Sequence, residues 1–382
     1  MSQSFDFVIV GAGSFGAWTA RELLRAGHKV LLVDAFGAAH TRASSGGESR
    51  IIRMGYGADE IYTRWSQHSL GEWKALEQRT GRTLFHRTGM LWMTGRDEAH
   101  ARGTAQTLQR LGIEHERLGS DEIGRRFPQI STEGIEWALW EPGSGALMAR
   151  QSIQTLVAEC VREGLDYRIA QIAPPTAKDR LDRLVTATGE ALSAGAFVFA
   201  CGPWLPKVFP VVLGTRIFPT RQAVYFFAPP PGDASFAPPA MPCWFHHPAL
   251  VYGIPDLESR GFKASIDRHG AAFDPDTGSR APVADEIGAV RAYLEQRFPK
   301  LRGAPLTESR VCQYENTSNG DFILDRHPHL SNVVIAGGGS GHGFKHGPAV
   351  GDYVARLLSG RVEAEPRFAL AAKAAIQSRS VY

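Results

Sequence analysis

The sequence predicts an α/β fold in two domains, one Rossmann-like and one carrying a mainly antiparallel sheet. Three observations carry this. The stretch Gly11-Ala-Gly13-Ser-Phe-Gly16 lies between an apolar run and a helical pattern, and an acid follows at Asp34. Two later apolar runs, residues 196–202 and 332–343, end on glycines in the same style. Between them, residues 218–275 are rich in proline, glycine and aromatics.

Residues 5–10 (FDFVIV) read as a buried parallel strand, 17–26 as a helix, and 29–33 (KVLLV) as a second strand ending at Asp34. In this βαβ setting the glycine motif indicates a bound dinucleotide. Gly11 permits the tight turn, Gly13 lets the backbone approach a pyrophosphate, and Gly16 lets the helix pack close to the strand. The helix N-terminus presents N–H groups and a positive dipole end to that pyrophosphate. Asp34 would accept hydrogen bonds from a ribose. The motif serves NAD and FAD alike.

Residues 62–80 form a helical pattern whose apolar face includes Trp65, Leu70, Trp73 and Leu76. A strand is expected over 89–93 and a helix over 97–111. The proline- and aromatic-rich middle predicts antiparallel strands with irregular connections. The strands at 196–202 and 332–343 return to the Rossmann style, and a helix over 348–358 follows, stopped by Gly360. The nucleotide domain is therefore discontinuous: residues 1–84, 145–213 and 318–382. Residues 85–144 and 214–317 form the substrate domain. Such a C-terminal return is a feature of flavoproteins of the glutathione-reductase type rather than of simple nicotinamide dehydrogenases.

At 382 residues the chain is long for one core. It is 43% apolar and 21% charged, with a net charge of +3 and dispersed basic residues, so no nucleic-acid or membrane-surface footprint is expected. The most apolar long stretch, residues 194–213, is broken by Pro203, Pro206, Lys207 and Pro210, which argues against a membrane span. The first strand begins almost at once, leaving no room for a leader, and a cytoplasmic location is expected. Cys160, Cys201, Cys243 and Cys312 are widely spaced and form neither a disulfide framework nor a zinc site. No metal is expected.

Four constellations carry chemistry. Arg50 and Arg53, three apart in Ser49-Arg-Ile-Ile-Arg-Met-Gly-Tyr56, would share a face of a helical turn and suit a carboxylate or phosphate, or else form a surface pair. Gly341-His342-Gly343-Phe-Lys345 is a glycine-rich turn into a helix, able to stabilise the anionic N1–C2=O edge of a reduced flavin. Lys345 adds a cation, in a chain with only eight lysines among its 42 basic residues. Tyr252 and Lys263 lie eleven apart in the aromatic middle, where each alone reads as structural. Cys312, between Val311 and Gln313, alone reads as a small buried residue.

Taken together, GAGSFG, SRIIRMGYG, VCQYENTSNGDFILDRHP and NVVIAGGGSGHGFKHG resemble the monomeric sarcosine oxidase family, including N-methyltryptophan oxidase, within the D-amino-acid-oxidase-like FAD amine oxidoreductases. The resemblance spans nearly the whole chain. It implies FAD, attached covalently through Cys312 at the flavin 8α-methyl. It places Lys263 over the flavin face as the promoter of reaction with oxygen. It gives Arg53 and Lys345 the substrate carboxylate, Arg50 a place beside the flavin ring, and Tyr252 a place beside the substrate. Gly11, Gly13, Gly16 and Asp34 keep the nucleotide, and the Gly341-His342-Gly343 turn the flavin. One departure concerns substrate choice. Four residues after the lysine, where the family carries a histidine, stands Asp267; His269 is two further on. A carboxylate there favours a substrate with an extra cationic or hydrogen-bond-donating group. Gly46 likewise replaces a larger polar residue.

The implied activity is oxidation of a carboxylate-bearing secondary amine, an N-methyl or cyclic amino acid, to an imine. Oxygen would be reduced to hydrogen peroxide by a monomer acting on small molecules. Three alternatives stay open at this point: a dehydrogenase with another acceptor, an opine- or Amadori-type amine oxidase, and a FAD-carrying subunit of a larger complex.

Overall fold

The computed structural model describes residues 4–95 and 99–378. Two large sheets and one small one organise them. The first, seven-stranded, joins β1 (Ser4–Val10), β2 (Val30–Asp34), β9 (Asp166–Ile169), β10 (Arg183–Val185), β11 (Ala191–Phe199), β17 (Ile323–Arg326) and β18 (Val333–Gly337). Its order is β17-β18-β11-β1-β2-β9, with β10 paired to β11. The central pairs β18-β11, β11-β1, β1-β2 and β2-β9 are all parallel. Strands covered on both faces must be apolar throughout, and Val30 to Val33 are all buried.

The second, eight-stranded, runs β16-β12-β15-β14-β13-β5-β7-β6. Its strands are β5 (Met90–Thr94), β6 (Glu116–Gly119), β7 (Trp137–Glu141), β12 (Phe218–Phe227), β13 (Cys243–His246), β14 (Val251–Ile254), β15 (Phe262–Ile266) and β16 (Leu306–Asn316). Every pairing is antiparallel except β13 with β5. The third sheet joins β3 (Arg50–Ile52), β4 (Phe85–His86) and β8 (Gly145–Leu147).

The helix after β1 starts at Ser14, three residues earlier than the apolar pattern indicates, because the glycine turn feeds straight into it. Helices Glu60–Thr80 and Gly347–Leu358 match expectation, and Gly360 follows the latter at φ +68°. The helix expected from 97 runs Ala99–Arg110; Asp97 lies outside the described residues. Arg50 and Arg53 do not share a helical turn. Arg50 opens strand β3, because β-branched Ile51 and Ile52 between the arginines favour an extended chain. Among the described residues no helix is long and apolar enough to cross a membrane, and no group of three metal-ligating side chains occurs.

Alternation in the eight-stranded sheet sorts its residues by face. Leu91, Met93, Tyr225, Phe227, Trp244, Phe262 and Ala264 point one way, into a core shared with Val290 and Leu294 of helix Ala284–Arg297. Their neighbours in sequence point the other way and form the floor of the site.

Candidate active site

Two cavities meet at Cys312 and Arg50. The larger, about 350 Å³, opens at the tips of the parallel strands. Gly11, Gly13, Asp34, Arg50, Cys312, Gly341 and Gly343 all line it. Gly11 sits at φ +109°, and a Cβ there would stand 2.3 Å from the Ala200 carbonyl oxygen. Gly16 does not line the cavity. A Cβ on it would meet the Gly11 carbonyl oxygen at 1.8 Å, so its part is to let the helix close on the turn. Asp34 orders the turn from β2: Oδ2 accepts from Ala12 N at 2.8 Å, and Oδ1 from Phe36 N and Gly37 N at 2.8 and 2.9 Å. Its remaining lone pairs suit ribose hydroxyls. A glycine-floored groove at a helix N-terminus, with a carboxylate at one end and a thiol at the other, fits FAD.

The smaller cavity, about 100 Å³, has the sheet as its floor. The register puts Met90 of β5 beside Cys243 of β13 and Trp92 beside Phe245, Phe245 beside Tyr252 of β14, and Ile254 beside Lys263 of β15, and Met90, Trp92, Phe245, Tyr252, Ile254 and Lys263 share the cavity face. Across β12, Gln222 pairs with Cys312 of β16. Tyr314 follows on the same face by period two. All of these except Cys243 line the cavity, with Arg53, Asp267, His342 and Lys345 completing it. The sheet thus brings Tyr252, Lys263, Asp267 and Cys312 together. His269, beyond the end of β15, is not among the lining residues and approaches Gln377 instead. Gly46 is packed so tightly that a Cβ would stand 2.0 Å from the His40 carbonyl oxygen, and no larger residue fits there.

The charges in this small space are held by specific partners. Arg50 donates to the Ser44 carbonyl at 2.8 Å and to Cys312 Sγ at 3.3 Å. Lys263 is 2% exposed, and its Nζ donates to the Ser49 carbonyl at 2.8 Å. Burial, reinforced by Arg50, lowers its ammonium to about 7. Lys345 Nζ donates to Tyr56 Oη at 2.8 Å and to the His342 carbonyl at 3.0 Å. Burial, with Arg53 nearby, pushes it well below the usual lysine range. His342 Nε2 lies 3.0 Å from the Gly320 carbonyl. Asp267 accepts from Tyr314 Oη at 2.8 Å, and burial raises its carboxyl to about 6 against the pull of Tyr314, Arg53 and Lys345. Burial pushes the Tyr252 phenol up to about 12.

Three residues of the site went unread in the sequence. The Arg53 guanidinium lies 4.2 Å from the Tyr56 ring and 4.6 Å from the Trp92 ring, a cation held between two π faces. Glu141, at the end of β7, accepts from Met54 N at 2.7 Å, Gly55 N at 3.1 Å, Trp92 Nε1 at 2.7 Å and Ser144 Oγ at 2.7 Å. The one available signal for Glu141 was an acid ending an otherwise apolar strand, WALWE.

Comparison with known proteins gives a consistent answer. The family model described as DAO, FAD dependent oxidoreductase, matches residues 6–357. A monomeric sarcosine oxidase of Bacillus sp. (strain B-0618) is 33% identical, over 95% of this chain and 94% of its own. A peroxisomal sarcosine oxidase of Homo sapiens is 31% identical, over 92% of each chain. Among solved structures, L-proline dehydrogenase from P. horikoshii superposes with a TM-score of 0.84 at 19% identity, covering 97% of this chain and 98% of its own. NikD, an unusual amino acid oxidase, superposes with a TM-score of 0.77 at 23% identity, covering 96% and 98%. At those identities the two structures speak for the fold alone. With the glycine groove, the shared Cys312 wall and relatives aligned along almost the entire length, the chain belongs to the DAO family of FAD-dependent oxidoreductases, in its sarcosine oxidase branch.

Proposed function

We propose that this enzyme oxidises a carboxylate-bearing secondary amine, an N-methyl or cyclic amino acid, to its imine, with dioxygen as the final acceptor. One observation carries the reading. The paired cations Arg53 and Lys345, both packed on Tyr56, close a small cavity that shares Cys312 and Arg50 with the FAD groove. Two buried cations facing one space call for an anion, and a small carboxylate fits the room. When bound, FAD supplies the two-electron chemistry, taking a hydride equivalent from the carbon beside nitrogen and passing electrons on to oxygen.

The chain's own residues do the rest. Arg53 and Lys345 hold the carboxylate and so orient the amine. Tyr252 and the apolar Met90, Phe245 and Ile254 confine it. Asp267, the sole carboxylate among the residues lining the small cavity, accepts an N–H from the substrate. This favours a substrate with a further donor over sarcosine. Lys263 and Arg50 supply positive charge beside the flavin. Cys312, on the wall common to both cavities, anchors the flavin as a thioether. Residues 1–84, 145–213 and 318–382 make up the FAD-binding domain and 85–144 and 214–317 the substrate domain, with Arg53 and Lys345 reaching the substrate from the first and Cys312 reaching the flavin from the second. The reading is of a monomeric cytoplasmic enzyme.

The deciding measurement is the visible spectrum during anaerobic addition of sarcosine, larger N-methyl amino acids, proline, pipecolate, iminodiacetate and a fructosyl amino acid, followed by air. Bleaching by a carboxylate-bearing secondary amine and rapid recovery in air are expected. Slow recovery would instead assign a dehydrogenase, and no bleaching by any of them would overturn the reading. Attachment has a separate test. Acid-precipitated protein should stay yellow, whereas Cys312→Ala should release all of its flavin to the supernatant; free flavin from the unaltered protein would refute the thioether.

A further inference from the structure

Glu315 joins Asp34 and Asp276 as a third carboxylate of the larger cavity, three residues beyond Cys312 on β16. It is 9% exposed. Its surroundings are glycines at the tips of the parallel sheet. A Cβ on Gly339 would stand 3.1 Å from Oε1, and one on Gly337 or Gly202 would stand 3.5 or 3.7 Å from Oε2. The backbone N–H groups of Gly338 and Gly339 face the carboxylate. Oε2 has no hydrogen-bond partner among the described residues. Burial raises the carboxyl to about 7. A buried acceptor left open is costly, and such groups persist where a ligand completes them.

The position of Glu315 along the groove identifies that ligand group. At one end stand Gly11, Gly13 and the helix N-terminus, which suit the pyrophosphate, with Asp34 beyond for the ribose. At the other stand Cys312 and Arg50, for the ring system. Gly202 follows β11, the neighbour of β1 on the side away from Asp34, and Gly337–Gly339 close and follow β18, the next strand beyond β11. Glu315 therefore borders the stretch between pyrophosphate and ring. A carboxylate repels a pyrophosphate, so its partner must be a donor. The donors of that stretch of FAD are the ribityl hydroxyls. We propose that Glu315 accepts a hydrogen bond from a ribityl hydroxyl and so fixes the middle of the cofactor. Whether ionised or protonated, the carboxyl keeps an oxygen able to accept.

The test uses full-length Cys312→Ser protein, from which flavin can be removed and restored. The apoprotein is titrated with FAD and with FAD analogues each lacking one ribityl hydroxyl, and binding is read from flavin fluorescence. With Glu315 present, one analogue should bind about 10-fold or more weakly than FAD, as expected for a hydrogen bond to a charged group. With Glu315→Leu added, that preference should shrink to about twofold or less; with the isosteric Glu315→Gln, which preserves the cavity should leucine disturb folding, to about threefold. Equal binding of all analogues, or the same preference with and without Glu315, would overturn the proposal and leave Glu315 a packing residue.

Discussion

Replacing Lys263 by methionine is expected to slow the reaction of reduced enzyme with oxygen by about 100- to 1000-fold, while substrate still bleaches the flavin anaerobically. The first electron to dioxygen makes superoxide, an anion, in a site from which water is largely excluded. A single fixed charge counts for far more there than in water. Lys263 is 2% exposed and is held on the Ser49 carbonyl, so its ammonium is already in place when charge develops. Methionine keeps the length and apolar stem and removes only the charge. The pH dependence supplies the sign. The ammonium, lowered to about 7 by burial and Arg50, is the effective form and predominates below that value. An anion on the reduced cofactor raises it, so the oxygen rate of the unaltered enzyme should fall as pH rises past a value at or above about 7. The Lys263→Met profile should be flat and low. Stopped-flow mixing of photoreduced enzyme with oxygenated buffer measures both, and an unchanged rate in the variant would remove Lys263 from the oxygen half-reaction.

What the sequence made legible follows from how local each signal is. GAGSFG reads correctly because strand, turn and helix are contiguous and Gly16 is crowded by Gly11 five residues earlier, although what crowds Gly11 itself is Ala200, at the end of β11 far along the chain. The antiparallel middle reads correctly in kind because its proline and aromatic content disfavours long helices, and only the short turn Ala234–Phe236 is helical between β12 and β15. The arginine pair takes a different local structure from the one its spacing suggests. A three-residue spacing mimics a helical turn, yet Ile51 and Ile52 pair with Ala146 and Gly145 across β3 and β8, a partner nearly a hundred residues away. Tyr252, Lys263 and Cys312 are unremarkable singly. Their convergence needs the register of four strands, β14, β15, β12 and β16, which no short window contains, and only the resemblance of whole blocks brings them together. Asp267 stands out in the sequence as a departure, but its bond to Tyr314 and its burial are matters of tertiary structure. Glu141 and Glu315 are unreadable for the same reason: a buried acid is intelligible only when its donors are known, and Met54, Gly55 and Trp92 for Glu141, and Gly338 and Gly339 for Glu315, are distant in the chain.

Glu141→Ala is expected to lower stability by about 3 kcal/mol or more, because four donors lose their acceptor in a dry interior and each orphan costs about 1–3 kcal/mol. In a domain of this size that is a drop in Tm on the order of 10 °C. The informative variant is Glu141→Gln. Oε1 now takes Gly55 N and Trp92 Nε1, and Oε2 takes Met54 N and Ser144 Oγ. A glutamine amide keeps one oxygen for one pair and turns an N–H₂ toward the other. Ser144 can rotate to accept; the Met54 or Gly55 amide cannot. One buried backbone donor is left facing another donor, and the chain immediately after Arg53 must shift. The consequence falls on the residue Glu141 positions rather than on the chemistry. Arg53 lies between Tyr56 and Trp92, and Glu141 grips both the Met54-Gly55 backbone and the Trp92 indole. Losing that alignment weakens carboxylate binding in the ground and transition states alike, so KM should rise by about 10- to 100-fold with kcat within about twofold of the unaltered enzyme. A fall in kcat at unchanged KM would place Glu141 elsewhere in the reaction. Unaltered kinetics with lowered Tm would reduce it to a structural acid.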